Sequence, residues 1–311
     1  MLIKEAAAIE AFTCCLFIRI TFVKHLFTED FLHFQNHKIW YGRFDPTTNT
    51  SDRRIPILCL HGGPGVPHDY LESLSDLTAT GRSVIFYDQL GCGNSEQATD
   101  PSIYSIAYFQ EELAHVRKVL GLEIIHLLGQ SWGGCLALEH TLVGASGIES
   151  LILSNTPSNV RQFVSEAYRL MSELPPDVYQ VIKESEAEGK TDSPAYQAAM
   201  EVFKQRHFCL LNPLPDSVQR AYQKVGRDFR GAGKIMDWDV TPKLATIQIP
   251  TLLISGRYDQ VTPACVEPLH QKIAGSKWLI FQESSHLPHL EEHEKFIKAV
   301  SEFIAAVEDK N

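Results

Sequence analysis

Residues 124–134 read Ile124-Ile-His-Leu-Leu-Gly-Gln-Ser131-Trp-Gly-Gly134, and the reading of this stretch decides the fold. A short apolar run ends in Gly129-Gln130-Ser131-Trp132-Gly133, and a segment of helical character follows. Small residues two before and two after a serine permit a sharp turn from strand to helix. Such a turn lifts the hydroxyl above the end of a sheet, where a base can reach it. A bare G-x-S-x-G recurs by chance in many sequences. Placed between a strand and a helix, it predicts a nucleophile elbow at Ser131.

An elbow of this kind is followed in the chain first by an acid and then by a histidine. Ile249-Pro-Thr-Leu-Leu-Ile-Ser-Gly-Arg-Tyr-Asp259 is an apolar strand that ends in a turn with an acid. Trp278-Leu-Ile-Phe-Gln-Glu-Ser-Ser-His286 is another strand, with a histidine just past its end. Both side chains are therefore expected at C-terminal strand ends, the edge where open parallel sheets form their sites. His286 is the candidate base for the Ser131 proton, and Asp259 the group that orients its imidazole. Asp88 precedes the serine and reads as a turn residue. His289 and His293 read as a solvated helix start.

Upstream, His61-Gly-Gly-Pro-Gly65 follows the strand 55–60. Glycines there let backbone N–H groups approach a ligand closely. Acyl transfer needs such donors for its oxyanion, and the N–H of Trp132, the residue after the serine, is the expected second one.

Around these motifs strand and helix alternate. Strands are expected at 55–60, 83–88, 124–129 and 150–155, with helices near 68–78, at 105–120 and from 132. This rhythm predicts an α/β fold, a mostly parallel sheet with helices on both faces. From Asn159 to about Lys234 strand-like runs cease. Helix-period segments take over at 160–172, 176–188, 194–208 and 215–226, punctuated by prolines. The division that follows is an N-terminal extension (1–30), a core (31–157 and 241–311) and an inserted all-helical cap (158–240). The core opens with a hairpin that turns at Gln35-Asn-His37. The last helix is expected at 290–307.

Taken together, the chain resembles α/β-hydrolases of the proline iminopeptidase (prolyl aminopeptidase) group. The resemblance rests on His61-Gly-Gly-Pro-Gly65, Asp88-Gln-Leu-Gly-Cys-Gly-Asn-Ser95, Gly129-Gln-Ser-Trp-Gly-Gly134, Gly256-Arg-Tyr-Asp-Gln-Val-Thr-Pro263 and Ser285-His286. It implies the α/β-hydrolase fold, a triad of Ser131, Asp259 and His286, and oxyanion donors at Gly63 and Trp132. It implies an acyl-enzyme hydrolase of short peptides or amino-acid amides. Two departures bear on the substrate. Family aminopeptidases hold the free amine with acids, one directly after the catalytic Asp, where this chain has Gln260. The second, in a Gly-Pro-x-Glu-Phe stretch, has no evident counterpart between Arg227 and Trp238. Gln260 is therefore a candidate substrate contact, and Glu201, Glu166 or Glu173 a candidate replacement acid. The alternatives are a small-molecule ester or amide hydrolase, in a biosynthetic pathway for example, and a non-catalytic binding protein on the same scaffold.

Composition agrees with an enzyme acting on small molecules or short peptides. A net charge of −10 and a pI of about 5.7 argue against nucleic acid or an anionic membrane as partner. Seven cysteines without paired spacing or C-x-x-C argue for a reduced, cytoplasmic setting. No carboxylate–histidine group has metal-ligand spacing and no G-x-G-x-x-G opens a helix, so neither metal nor cofactor is expected. Ala6–Val23 is mostly apolar, but Glu10 and Arg19 interrupt it. Its uncharged part, 11–18, is far short of the roughly 20 residues of a membrane span; the stretch reads as a helix packed on the domain, with an interfacial membrane anchor or a poorly ordered extension as the alternatives. The oligomeric state is not legible.

Overall fold

The strand rhythm becomes one eight-stranded sheet in the computed structural model, which describes residues 25–47, 54–228 and 233–310. The strands are β1 (His25–Phe34), β2 (His37–Pro46), β3 (Ile57–Leu60), β4 (Val84–Tyr87), β5 (Ile125–Gln130), β6 (Ile148–Ser154), β7 (Thr251–Gly256) and β8 (Lys277–Phe281). Their order is β1-β2-β4-β3-β5-β6-β7-β8. The β1–β2 hairpin joins β4 antiparallel, and all other pairs are parallel. Every residue of β3, β4, β5 and β7 is buried, as a sheet covered on both faces requires.

Site position follows from the strand order. The chain runs from β3 outward to β4, then crosses back to place β5 on the other side of β3. The strands β3 and β5 are thus neighbours whose following loops diverge. That is the switch point at which such sheets open a crevice. The loop 61–65 leaves β3 there, and Ser131 leaves β5. The helices α1 (Ile106–Val119) and α2 (Trp132–Leu142) link the strands on this side. The Ser105 hydroxyl accepts the Tyr108 N–H at the start of α1, which fixes where that helix begins.

Among the described residues between β6 and β7, the named elements are helices: α3 (Val160–Ser172), α4 (Pro176–Ala187), α5 (Pro194–His207), α6 (Asp216–Gln223) and two single 3-10 turns. The insert is pinched at its base, where Asn159 and Asp239 bridge and Val160 N–H donates to Trp238 O. The helices α3, α4 and α5 share a small core of their own around Leu170, Ile182 and Phe203. The helix α6 does not join it. Val218 and Ala221 pack into the core beneath the sheet with Tyr70 and Leu71. The insert therefore has a self-contained part and a part built onto the sheet. After β7 come α7 (Pro263–Lys272), α8 (Pro288–Glu291) and α9 (His293–Glu308).

Two expectations need correction. Strand β1 begins at His25, so 25–30 belongs to the sheet rather than to an extension. It pairs with β2 over its full length, and Glu29 on it accepts the Trp40 indole N–H at 2.9 Å. The helix expected near 68–78 is present as a 3-10 helix over 68–80. The last helix is broken at Glu292, whose backbone leaves helical angles while its carboxylate accepts Glu283 N–H and the Ser284 hydroxyl. The reading of Ala6–Val23 concerns residues outside those described.

One buried acid gives the fold a pH signature. Glu112 on α1 is fully buried, and its Oε2 accepts Leu90 N–H at 3.1 Å. Burial pushes its carboxyl up to about 8, against the ordinary 4.5, although the Leu90 N–H acts the other way. Between those values the folded chain holds a proton that the unfolded chain has lost, so this group's stabilisation fades as pH rises through the window. Melting temperatures of wild type and Glu112→Gln from pH 5 to pH 8.5 should separate. The wild-type decline should exceed the variant's by at least about 2 °C. Parallel curves would show that Glu112 is ionised in the fold.

Candidate active site

Ser131 has φ 54° and ψ −120°, a conformation uncommon for a residue with a side chain. Its surroundings enforce it. A Cβ on Gly133 would come within 2.1 Å of Leu60 O, and one on Gly134 within 1.9 Å of Thr156 Oγ1. The turn can thus press against β3 and the end of β6 only because both positions lack side chains. Ser131 N–H donates to Ser154 O at 2.8 Å, and its carbonyl accepts Gly134 N–H at 2.9 Å. Trp132 is the first residue of α2, so its N–H stands outside the i→i−4 ladder.

Asp259 and His286, 27 residues apart in sequence, meet at 2.6 Å between Oδ1 and Nδ1. Asp259 is fully buried; its Oδ1 also accepts Val261 N–H at 2.8 Å, and its Oδ2 accepts Asn155 Nδ2 at 2.6 Å. Burial raises this carboxyl above its ordinary value, opposed by His286, Asn155 and the Val261 N–H. An ionised Asp259 only accepts, so Nδ1 is the His286 nitrogen that donates in this pair, and Nε2 is left for another partner.

Several supporting residues escaped the sequence reading. Asn155, at φ 56°, ties the end of β6 to β7 through its N–H to Ile254 O at 2.7 Å. Its Oδ1 accepts the Ser154 hydroxyl, which turns Nδ2 toward Asp259 and Ser285 O. Tyr70 Oη accepts Gly62 N–H at 2.7 Å and donates to Gln130 Oε1 at 2.6 Å. Gln130 Nε2 then donates to His286 O at 3.1 Å, so one chain of bonds joins the glycine loop, the elbow and the histidine loop. Glu291 accepts Ser285 N–H, the Ser285 hydroxyl, Leu287 N–H and Leu210 N–H. Gln89 accepts the Trp132 indole N–H at 2.8 Å and donates to His61 O. Sequence carried a signal only for Gln89 and Gln130, through the 88–95 and 129–134 motifs. The others are marked by contacts between distant segments.

The rival residues have other duties. Asp88 accepts His68 N–H, faces His68 Nδ1 at 2.8 Å, and accepts Asn94 N–H. Burial alone would raise its carboxyl; His68, His61 and the Asn94 N–H hold it below the usual range. His289 is buried rather than solvated, a correction. Its Nε2 lies 3.0 Å from Tyr70 O, and burial pushes it down to about 3. His293 faces Asp76 at 2.9 Å. Burial pushes the Cys92 thiol well above its ordinary value, which disfavours the reactive thiolate. The fold does gather His68, Asp69 and Glu72, which sequence spacing did not suggest. Lys224 pairs with Asp69 at 2.9 Å and Arg220 with Glu72 at 2.5 Å, so protein cations already neutralise the two acids.

Ser131, His286, Gly63 and Gln260 line one cavity of about 130 Å³. Its remaining walls are mostly apolar, with Phe163, Phe208, Val218 and Tyr222 coming from the insert. Among the described residues that line it, none carries a carboxylate. Glu201 lines a separate chamber next to it. Glu166 bonds Thr262 and Arg169, and Glu173 bonds Arg169.

Residues 55–293 match the family model of the α/β-hydrolase fold, and the chain belongs to that family. Within it, the chain belongs with the proline iminopeptidases and is a proline iminopeptidase-like serine hydrolase. A protein of that name from Saccharolobus solfataricus is 39% identical over 267 residues, 82% of this chain and 86% of that one. One from Lactobacillus delbrueckii subsp. lactis is 36% identical over 292 residues, 89% of this chain and 98% of that one. The crystal structure of VinJ is similar at a TM-score of 0.84 and 31% identity, covering 90% of this chain and 99% of that one. That of a proline iminopeptidase from Mycobacterium smegmatis is similar at 0.82 and 30%, covering 90% and 98%. Among the described residues, no helix is long and apolar enough to cross a membrane.

The Asn155 amide can be tested in isolation with Asn155→Gly, because glycine accepts the positive φ at no steric cost. Losing one hydrogen bond to a buried carboxylate should lower kcat by about tenfold or more, with KM little changed. Unchanged kcat in the folded variant would show that Asp259 is held well enough without it.

Proposed function

We propose that the protein removes an N-terminal proline or similarly small residue from short peptides or amides, through an acyl-enzyme on Ser131. Nε2 of His286 takes the Ser131 proton as Oγ attacks the carbonyl carbon. The N–H groups of Gly63 and Trp132 hold the oxyanion that forms. The imidazolium then protonates the leaving amine as the C–N bond breaks. In the second half His286 deprotonates a water, which attacks the ester carbon. The acid leaves and Ser131 recovers its proton. Asp259 keeps the imidazole in the required tautomer and offsets its positive charge. The observation that carries this reading is the 2.6 Å Asp259–His286 contact, with His286 and Ser131 lining one cavity. The relatives' names supply the proline specificity.

We read residues 158–240 as a cap, since four of the cavity's apolar walls come from it. An enclosed site keeps bulk water from the acyl-enzyme and selects what enters. Among the described residues, five cysteines are free and buried, which suits the reducing, cytoplasmic setting we assign.

Ser131→Ala should lose roughly 10⁴-fold or more in turnover of prolyl p-nitroanilide while melting as the wild type does. Asp259→Asn should lose roughly 10³–10⁴-fold, because the imidazole then adopts the wrong tautomer. Near wild-type rates in folded Ser131→Ala would remove the assignment.

Gln260 bears on amine recognition. An amide offers the substrate ammonium a dipole, worth about half of a charge-assisted bond. Wild type should therefore favour prolyl over acetyl-prolyl amide by only about tenfold. Gln260→Glu should widen that preference at pH 7, read as the ratio of the two kcat/KM values. A wild-type preference beyond about a thousandfold would mean that an acid from outside the cavity lining, such as Glu201 of the adjacent chamber, reaches the amine.

A further inference from the structure

The cavity at Ser131 is small, and a larger space lies beside it. The first measures about 130 Å³, the second about 310 Å³. Glu201, Lys204, Cys209 and Leu214 line the second space. Among the described residues, only Phe208 and Tyr222 line both. Their rings meet edge to face at 5.7 Å and 86°. Two aromatic rings in that geometry make a stable wall.

Both rings are anchored to the core. The Phe208 ring lies 5.9 Å from the His286 ring, and its carbonyl accepts His286 N–H at 3.2 Å. One residue earlier, His207 O accepts Gln260 N–H at 2.9 Å, so this stretch is bonded beside both Asp259 and His286. Tyr222 is carried by α6, whose Val218 and Ala221 are buried in the core beneath the sheet. Arg220 and Lys224, on either side of it, pair with Glu72 and Asp69 of the 3-10 helix. The Phe208 side of the wall is thus tied to the loops of Asp259 and His286, and the Tyr222 side to the 3-10 helix and the core beneath the sheet.

Sites for drug-sized ligands measure roughly 300–1,000 Å³; the space at Ser131 falls below that range, and the two spaces joined would enter it. We propose that Phe208 and Tyr222 form a partition that restricts the acyl group to small residues, and that the chamber behind it is a latent acyl subsite for bulky side chains. The proposal rests on Ser131 being the nucleophile of this cavity. Phe208 is bound to the histidine loop, whereas Tyr222 offers its ring alone, so Tyr222 is the position at which size selection can be changed.

The test uses the full-length protein with prolyl, alanyl, leucyl and phenylalanyl p-nitroanilides. Tyr222→Ala should raise the kcat/KM ratio of phenylalanyl to prolyl substrate by about tenfold or more. Tyr222→Phe keeps the wall and should keep the wild-type ratio. Tyr222→Leu, closer in volume, should fall between and gives the reading if Tyr222→Ala does not fold. An unchanged ratio in the smaller variants, or an equal rise in Tyr222→Phe, overturns the partition. The underlying reading fails separately: turnover would then persist in Ser131→Ala. Loss of Ser131-dependent size control alone leaves the nucleophile in place and removes only the wall.

Discussion

The constraint on which the molecule turns is the backbone of Ser131. A non-glycine residue in such a conformation costs about 1–3 kcal/mol and persists only where its surroundings over-determine it. Here they do so in three directions. The end of β6 accepts the Ser131 N–H, the first turn of α2 grips its carbonyl, and glycines at 133 and 134 let β3 and Thr156 close in. The strand order has the same consequence on a larger scale. With β3 and β5 as neighbours whose chains diverge, the glycine loop and the elbow open toward one crevice. Moving either strand would separate the glycine loop from the serine.

A second layer of bonds converts that crevice into a fixed arrangement. Tyr70 and Gln130 connect Gly62 to the His286 carbonyl, and Asn155 connects Asp259 to the His286 loop. Glu291 gathers four donors from that loop and from the insert. In our reading these groups do no chemistry. They remove freedom from the residues that do, which is how preorganised sites lower a barrier without reorganising during reaction. The insert is bonded into the same layer at His207, Phe208 and Leu210. The cavity walls that come from the insert and the loops that hold Asp259 and His286 are consequently bonded to one another.

How much of this could be read beforehand follows from the range of each interaction. The elbow, the glycine loop and the strand-end acid and histidine are local patterns: a turn, an apolar run and one polar residue at its end. They were legible, as were the boundaries of α3, α4 and α5, which prolines mark. Asn155 and Glu291 were not. Asn155 looks like any turn residue, and its meaning comes from Asp259, 104 residues away. His289 was misread because its neighbours in sequence are charged, while its neighbours in space are Tyr70 and Phe296. The full extent of β1 was missed because pairing with β2, not apolar content, makes His25–Asp30 a strand. The empty-of-acid cavity agrees with Gln260 standing where an acid was expected, and only the fold shows that Glu201 lines a different space.

The central claim is that Ser131 is a nucleophile activated by His286. Treatment with a fluorophosphonate followed by peptide mass mapping tests it most directly. A phosphonyl serine forms only where a base removes the hydroxyl proton and donors hold the oxyanion. The account requires one adduct per chain, on the peptide that holds Ser131, and its loss in His286→Ala. Labelling at another serine, or equal labelling of Ser131 without His286, would contradict it.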